Sequence, residues 1–129
     1  MGREKWNSTC SGNDGYVRAA SGAAVKAGVA FVPEVLYKSK WYPICGHYFW
    51  NNENGAATIC KGLGFPTGTL QKTSKRYDSD AMPIGACKVG EQLRNCTAGG
   101  NVWGQLDTND GRCKKGHRVG ITVTCAGAD

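Results

Sequence analysis

The clearest pattern in the chain lies near its end. Val119, Ile121, Val123 and Cys125 alternate with Gly120, Thr122 and Thr124, the two-residue period of a strand with one buried face. A second alternation covers residues 29–37 and sets Val29, Phe31, Val35 and Tyr37 on one side. Pro33 interrupts it. Proline donates no ladder hydrogen bond, so the pattern predicts an edge strand, or one that begins after a bulge. Lys38, Ser39 and Lys40 make a polar turn into Trp41-Tyr42-Pro43-Ile44-Cys45, and the two runs together predict a hairpin. Residues 16–20 form a shorter strand candidate, followed by a loop of small residues at 21–24.

Between residues 52 and 63 the period changes to that of a helix. Ala56, Ile59, Cys60 and Leu63 fall on one face. Asn51 or Asn52 suits the cap, Glu53 the positive end of the dipole and Lys61 the negative end. Gly64 can take the left-handed conformation that ends a helix, while Gly55 and Gly62 each cost about 1 kcal/mol against alanine. Residues 66–83 are polar and irregular and read as a long loop. One helix among short strands predicts an α+β fold with long loops.

Composition narrows the class. The chain has 129 residues, 19 of them glycine and 7 cysteine, with a net charge of +6. It suits one domain, placed at residues 16–127 behind a flexible N-terminal tail at 1–15. No run reaches the roughly 18 apolar residues needed to cross a bilayer, so no direct membrane insertion is expected. Met1 to Lys5 lacks the apolar core of a signal peptide; a secreted protein starting this way would be a piece of a longer precursor, flanked by other domains. Seven cysteines in so small a domain point to an oxidising, extracellular setting, secreted or at the cell surface. None forms a C-x-x-C pair, which counts against a zinc ribbon or a redox site. The odd number leaves one over, and Cys10, alone in the polar tail, is the expected orphan. Six cysteines allow fifteen pairings, and spacing selects none of them.

Several segments together resemble a known family. Glu34-Val35-Leu36-Tyr37, Trp41 and Ile44-Cys45, then Trp50, are similar to the opening strand–turn–strand of scavenger receptor cysteine-rich domains. Ile59-Cys60-Lys61-Gly62-Leu63-Gly64-Phe65 resembles that family's V-C-R-Q-L-G turn. Cys87, Gly90, Glu91, Leu93 and Cys96 resemble its next cysteine segment, shortened by one residue; Trp103-Gly104 and Val123-Thr124-Cys125 are similar to its last two motifs. Phe65, where some members carry cysteine, is nearer the six-cysteine group A. The resemblance implies a curved antiparallel sheet cradling one helix, with three disulfides: Cys45–Cys113, Cys60–Cys125 and Cys87–Cys96. The two long-range bridges would each contribute about 4 kcal/mol in the chain-entropy model, offsetting a core diluted by glycine.

The chain also departs from the family. Where many members place carboxylates that bind a divalent cation, it has Gly46-His47 and His117-Arg118-Val119. Hard cations want oxygen ligands, so no such metal site and no cofactor is expected. If Cys45 pairs with Cys113, His47 and His117 become neighbours. That would permit a two-histidine transition-metal site or a pH switch, against the plainer reading of two exposed loop histidines. A reduced zinc site from Cys45, His47, Cys113 and His117 would leave four cysteines unexplained besides the orphan Cys10.

Catalysis has little to work with. There is no G-x-S-x-G, H-E-x-x-H or phosphate-binding glycine loop, and the nearest carboxylate pair, Asp78 and Asp80, reads as loop surface. Trp41 and Trp50 read as core. Asn7-Ser8-Thr9 and Asn95-Cys96-Thr97 fit the glycosylation pattern. The positive charge bunches twice, as Lys72, Lys75 and Arg76 and as Arg112, Lys114, Lys115 and Arg118. With few aromatics interleaved, these do not suggest a specific nucleic-acid platform. They are the ligand-binding candidates of a non-catalytic binding or adhesion domain, whose partner is a protein or polyanionic ligand. The alternative is a structural spacer with no ligand of its own.

Overall fold

The computed structural model describes residues 14–106 and 111–127. Cys10 and Asn7, and nearly all of the expected tail, lie outside the described residues. Asp14 and Gly15, assigned to that tail from sequence, are tied to the domain: the Gly15 N–H donates to the Leu36 carbonyl at 2.8 Å. The Lys38 N–H donates to Asp14 Oδ1 at 2.9 Å.

Five strands and one α-helix make an α+β domain whose antiparallel sheet is in two parts. Strands β1 (Val17–Ala19), β2 (Pro33–Tyr37) and β3 (Lys40–Pro43) form the first part, in that order. The predicted hairpin is β2–β3. Its two-residue turn puts both Lys38 (φ 48°) and Ser39 (φ 66°) in the left-handed region, the twist that suits tight hairpins.

Pro33 is not on an edge strand: β2 is central. The proline is tolerated because it is the first residue of β2, opposite Ala19, while pairing with β3 begins only at Glu34↔Pro43. The alternation from Val29 to Tyr37 is therefore two pieces. Val29 is 56% exposed, and Phe31 leaves the first sheet to bridge Val123 through paired hydrogen bonds of 2.9 and 2.8 Å.

Helix α1 (Asn54–Gly62) starts two residues later than the periodicity suggests. Asn52 Oδ1 accepts the Asn54 N–H at 3.0 Å. Glu53 does more than face a dipole, since its carboxylate accepts the Leu70 N–H and ties the helix start to the next strand. Gly64, at φ 98°, ends the helix. The N–H groups of Phe65 and Gly64 return to the carbonyls of Cys60 and Lys61 at 2.8 and 3.1 Å, satisfying the last turn. Gly55 has a packing reason: a Cβ there would lie 2.3 Å from the Phe49 ring.

The long loop expected at 66–83 is wrong in its first third. Residues 67–72 form β4 (Thr67–Lys72), paired along its length with β5 (Ile121–Ala126) from Thr67↔Ala126 to Lys72↔Ile121. Its inward position is Gly68, where a Cβ would sit 2.2 Å from Cys60 Sγ. A glycine in the buried slot erases the alternation that marks a strand. Helix α1 packs on β4 and β5.

The cysteines join as Cys45–Cys113, Cys60–Cys125 and Cys87–Cys96, the pairs the family resemblance implies. The main core gathers Val35, Ile44, Phe49, Ile59, Met82, Ile84, Ile121 and Val123. Residues 81–87 are buried without belonging to a strand. Their backbone is satisfied across the fold, with Met82 N–H on the Pro43 carbonyl at 2.8 Å and Gly85 N–H on that of Cys96 at 2.7 Å. A smaller cluster of Cys45, Ala81, Cys113 and Val119 lies beside the core, with Trp50 and Tyr77 packed against it.

Candidate functional site

The backbone that leaves β4 runs beside the backbone that enters β5. The N–H groups of Thr73 and Ser74 both reach the Gly120 carbonyl, at 3.2 and 3.0 Å, and the Gly120 N–H returns to Lys75 at 2.9 Å. Further along, the Gly116 N–H donates to Tyr77 at 3.0 Å and that of Ala81 to Cys113 at 2.7 Å. A Cβ at Gly120 would stand 2.7 Å from the Lys75 carbonyl, so only glycine closes this seam. Two basic groups some forty residues apart in sequence thereby flank one line of hydrogen bonds.

Each predicted residue has a definite place. Arg76 Nη1 donates to the Gly116 carbonyl at 2.6 Å, crossing the seam. Asp80 Oδ1 accepts the Lys115 N–H at 2.8 Å, and Lys114 Nζ approaches Asp80 Oδ2 at 4.0 Å. Lys72 extends over Trp50, its Nζ 4.2 Å from the ring centroid. Trp50, His47, Arg112, His117, Arg118 and Val119 wall a cavity of about 280 Å³. Lys75, Arg76, Lys114 and Lys115 belong to the seam and do not line it. His47 and His117 thus share one cavity, as pairing of Cys45 with Cys113 suggested.

Trp50 and Trp41, both read as core, are half-buried. Trp50 packs against both clusters and against Gly46, where a Cβ would meet its ring at 2.3 Å. Trp41 carries the Arg18 guanidinium 4.3 Å over its ring. Trp103 stands edge-on to Tyr37 at 5.8 Å. Asn95 is exposed at the end of a one-turn 3-10 helix, Leu93–Asn95.

Two supporting residues carried no sequence signal. Asn101, 1% exposed, donates from Nδ2 to the His47 carbonyl at 3.1 Å and to Cys113 Sγ at 3.6 Å. Tyr77 donates its hydroxyl to the Ile44 carbonyl at 2.9 Å and accepts the Ile121 N–H at 3.2 Å. Burial pushes the Tyr77 phenol up to about 12; the Ile121 hydrogen bond opposes this, and the charge of Glu34 adds to it. Neither residue stands in a motif; each is assigned its role by what folding brings to it.

The residues that line this cavity do not suit a hard cation: imidazoles and guanidiniums stand there, where such an ion would need oxygen ligands. Among the described residues, no three of His, Cys, Asp or Glu come together as a metal site. Among them too, no helix is long and apolar enough to cross a membrane.

A chain of this kind is a disulfide-stapled α+β domain whose loops, rather than its core, carry the charge. No protein-family model matches the sequence, and no curated protein matches it. Solved structures do. The third SRCR (scavenger receptor cysteine-rich) domain of murine neurotrypsin aligns over 88% of this chain and 97% of its own, with a TM-score of 0.53 at 15% identity. The N-terminal extracellular domain of the lymphocyte receptor CD5 covers 76% of this chain and 82% of its own, with a TM-score of 0.35 at 18% identity; nothing further rests on it. The chain has the scavenger receptor cysteine-rich fold.

Proposed function

We propose that the chain is a non-catalytic ligand-binding domain of an extracellular protein, and that it recognises a polyanionic or acidic protein ligand through the basic seam. The observation that carries this reading is the line of backbone hydrogen bonds between residues 73–81 and 113–120, which sets the two basic groups side by side. Arg112 and Arg118 line one cavity with Trp50, and Lys72 lies over the Trp50 ring. A net charge of +6 adds long-range attraction for an anion.

Three disulfides support an oxidising compartment. They also support a binding rather than a catalytic role, because a disulfide sulfur is no thiolate nucleophile, and Asp80 is engaged with Lys114 and Lys115. The similar neurotrypsin domain is the third of its kind in its parent, which favours a place among other domains here.

The test is elution from immobilised heparin against a salt gradient. Retention well beyond a protein of matched size and charge, unchanged by EDTA, supports the reading. Elution together with that control overturns it and leaves a spacer without a ligand.

A further inference from the structure

The short Cys87–Cys96 bridge carries chemistry that no binding role absorbs. Its second cysteine is the middle residue of Asn95-Cys96-Thr97, an N-x-T acceptor triplet. The one-turn helix Leu93–Asn95 gives way to extended backbone at Cys96, with φ −82° and ψ 104°. Successive side chains on extended backbone point to opposite sides. Cys96 turns inward, 1% exposed, while Asn95 and Thr97 both stand in solvent. A buried half-cystine and an exposed acceptor are thus compatible within three residues. Asn95 holds the fold through its backbone, whose N–H donates to the Gln92 carbonyl at 2.9 Å. Its side-chain amide stands outside the hydrogen bonds of the described residues, so a sugar attached there displaces none of them.

In the closed loop the triplet is pinned on both sides. The Cys96 N–H donates to the Leu93 carbonyl at 3.2 Å, and the Cys96 carbonyl accepts the Gly85 N–H at 2.7 Å. One residue past Thr97, Ala98 bridges Ala86. An enzyme that must draw the triplet into its own cleft has to act before these bonds form. The bridge joins residues 9 apart in sequence, against 68 and 65 for the other two. Cys87 has therefore been synthesised when Asn95 emerges, whereas the longer bridges wait for Cys113 and Cys125. Closing so short a loop takes about 10–100 ns, and oxidation then takes seconds or longer. Synthesis, at about 5–20 residues per second, completes the chain on the same scale.

We propose that Asn95 is an N-glycosylation site, and that closure of Cys87–Cys96 sets how much of the protein carries the glycan. The proposal goes beyond the polyanion reading and uses only its extracellular setting. The donor is an oligosaccharide held on a polyprenyl pyrophosphate. The Asn95 amide nitrogen bonds to the anomeric carbon of that sugar and gives up one proton. The bond from the anomeric carbon to the pyrophosphate oxygen breaks, and the polyprenyl pyrophosphate leaves with the electron pair. The Thr97 hydroxyl is the second element that the transferring enzyme reads. Transfer precedes burial of Cys96 or does not occur, so the folded protein is a mixture of occupied and bare chains.

The test uses the full chain, directed into the secretory pathway of mammalian cells behind a cleavable leader. Asn7→Gln removes the other triplet, Asn7-Ser8-Thr9, and is present throughout. Enzymatic deglycosylation converts a glycan-bearing asparagine to aspartate, and peptide mass spectrometry then reads the occupied fraction of Asn95. Two steps on one timescale divide the chains evenly, so about half should carry the glycan. Cys87→Ser removes the bridge and should raise that fraction about twofold. Cell-associated protein is measured beside secreted protein, because transfer precedes export and is recorded there even in a variant that does not fold. Thr97→Ala should abolish the modification.

Absence of a glycan from Asn95 with and without Cys87 overturns the site. Equal occupancy in the two proteins overturns control by the bridge. A glycan that persists in Thr97→Ala overturns the assignment to this triplet. None of these results bears on retention by heparin, which the basic seam decides.

Discussion

The two long-range disulfides hold regions built on opposite principles. Around Cys60–Cys125, helix α1 lies on β4 and β5 with Ala56, Ile59 and Cys60 fully buried. Closeness there comes from missing side chains, as at Gly68 against Cys60 and Gly55 against Phe49. Around Cys45–Cys113 the buried cluster is small, and the neighbourhood is held by Tyr77, Asn101 and backbone bonds across the seam. The first region stabilises by apolar burial and dispersion. The second buries little apolar area and keeps its charges at the surface. Under the proposed polyanion reading, the cations sit where few core contacts depend on them.

Removing a long and a short bridge in turn tests what cross-linking contributes beside apolar burial. Cys60→Ala with Cys125→Ala should cost about 4 kcal/mol of unfolding free energy in urea and leave a cavity in the apolar half. Cys87→Ala with Cys96→Ala, closing a far shorter loop, should cost about 3 kcal/mol. Equal losses would mean that loop closure is not what these bridges contribute. Gly68→Ala should cost about 2 to 3 kcal/mol, because the new methyl must displace Cys60 Sγ or the backbone of β4. An unchanged midpoint would show the apolar half to be looser than its geometry.

In the polar half, Tyr77→Phe leaves the Ile44 carbonyl and the Ile121 N–H without their hydroxyl partner and should cost about 1 to 2 kcal/mol. It also changes the alkaline limb. The phenol is raised from 10.0 to about 12, so its neutral form is favoured in the folded state. Its contribution is complete below pH 10 and is lost as pH climbs toward 12, at about 1.4 kcal/mol per pH unit across that window. The phenylalanine variant should lack that part of the slope in stability measured between pH 9 and 12. Smallest for the fold is Arg118→Gln, expected to move stability by under about 0.5 kcal/mol while lowering the salt needed to elute the protein from heparin. A loss of stability there comparable to Tyr77→Phe would mean the surface cations also hold the fold.

Sequence was most legible where side chains announce their own periodicity. The alternation of Ile121, Val123 and Cys125 marked β5, and the spacing of Ala56, Ile59 and Cys60 marked α1, because each face is filled by groups that water repels. It misled where glycine or proline stands in for a side chain. Gly68 hid β4, and Pro33 made a central strand look like an edge. The two basic groups were visible as groups, but their meeting was not.

The order of residues alone is enough for the elements with a full hydrophobic face, the excess of positive charge and the supply of cysteines, since each is a property of neighbours in the chain. Folding was needed to join the cysteines in pairs, to lay residues 72–77 against 116–120, and to bring His47, Trp50 and His117 around one cavity. Those are contacts between distant segments, set by register and by the room a missing Cβ leaves. No local pattern records either.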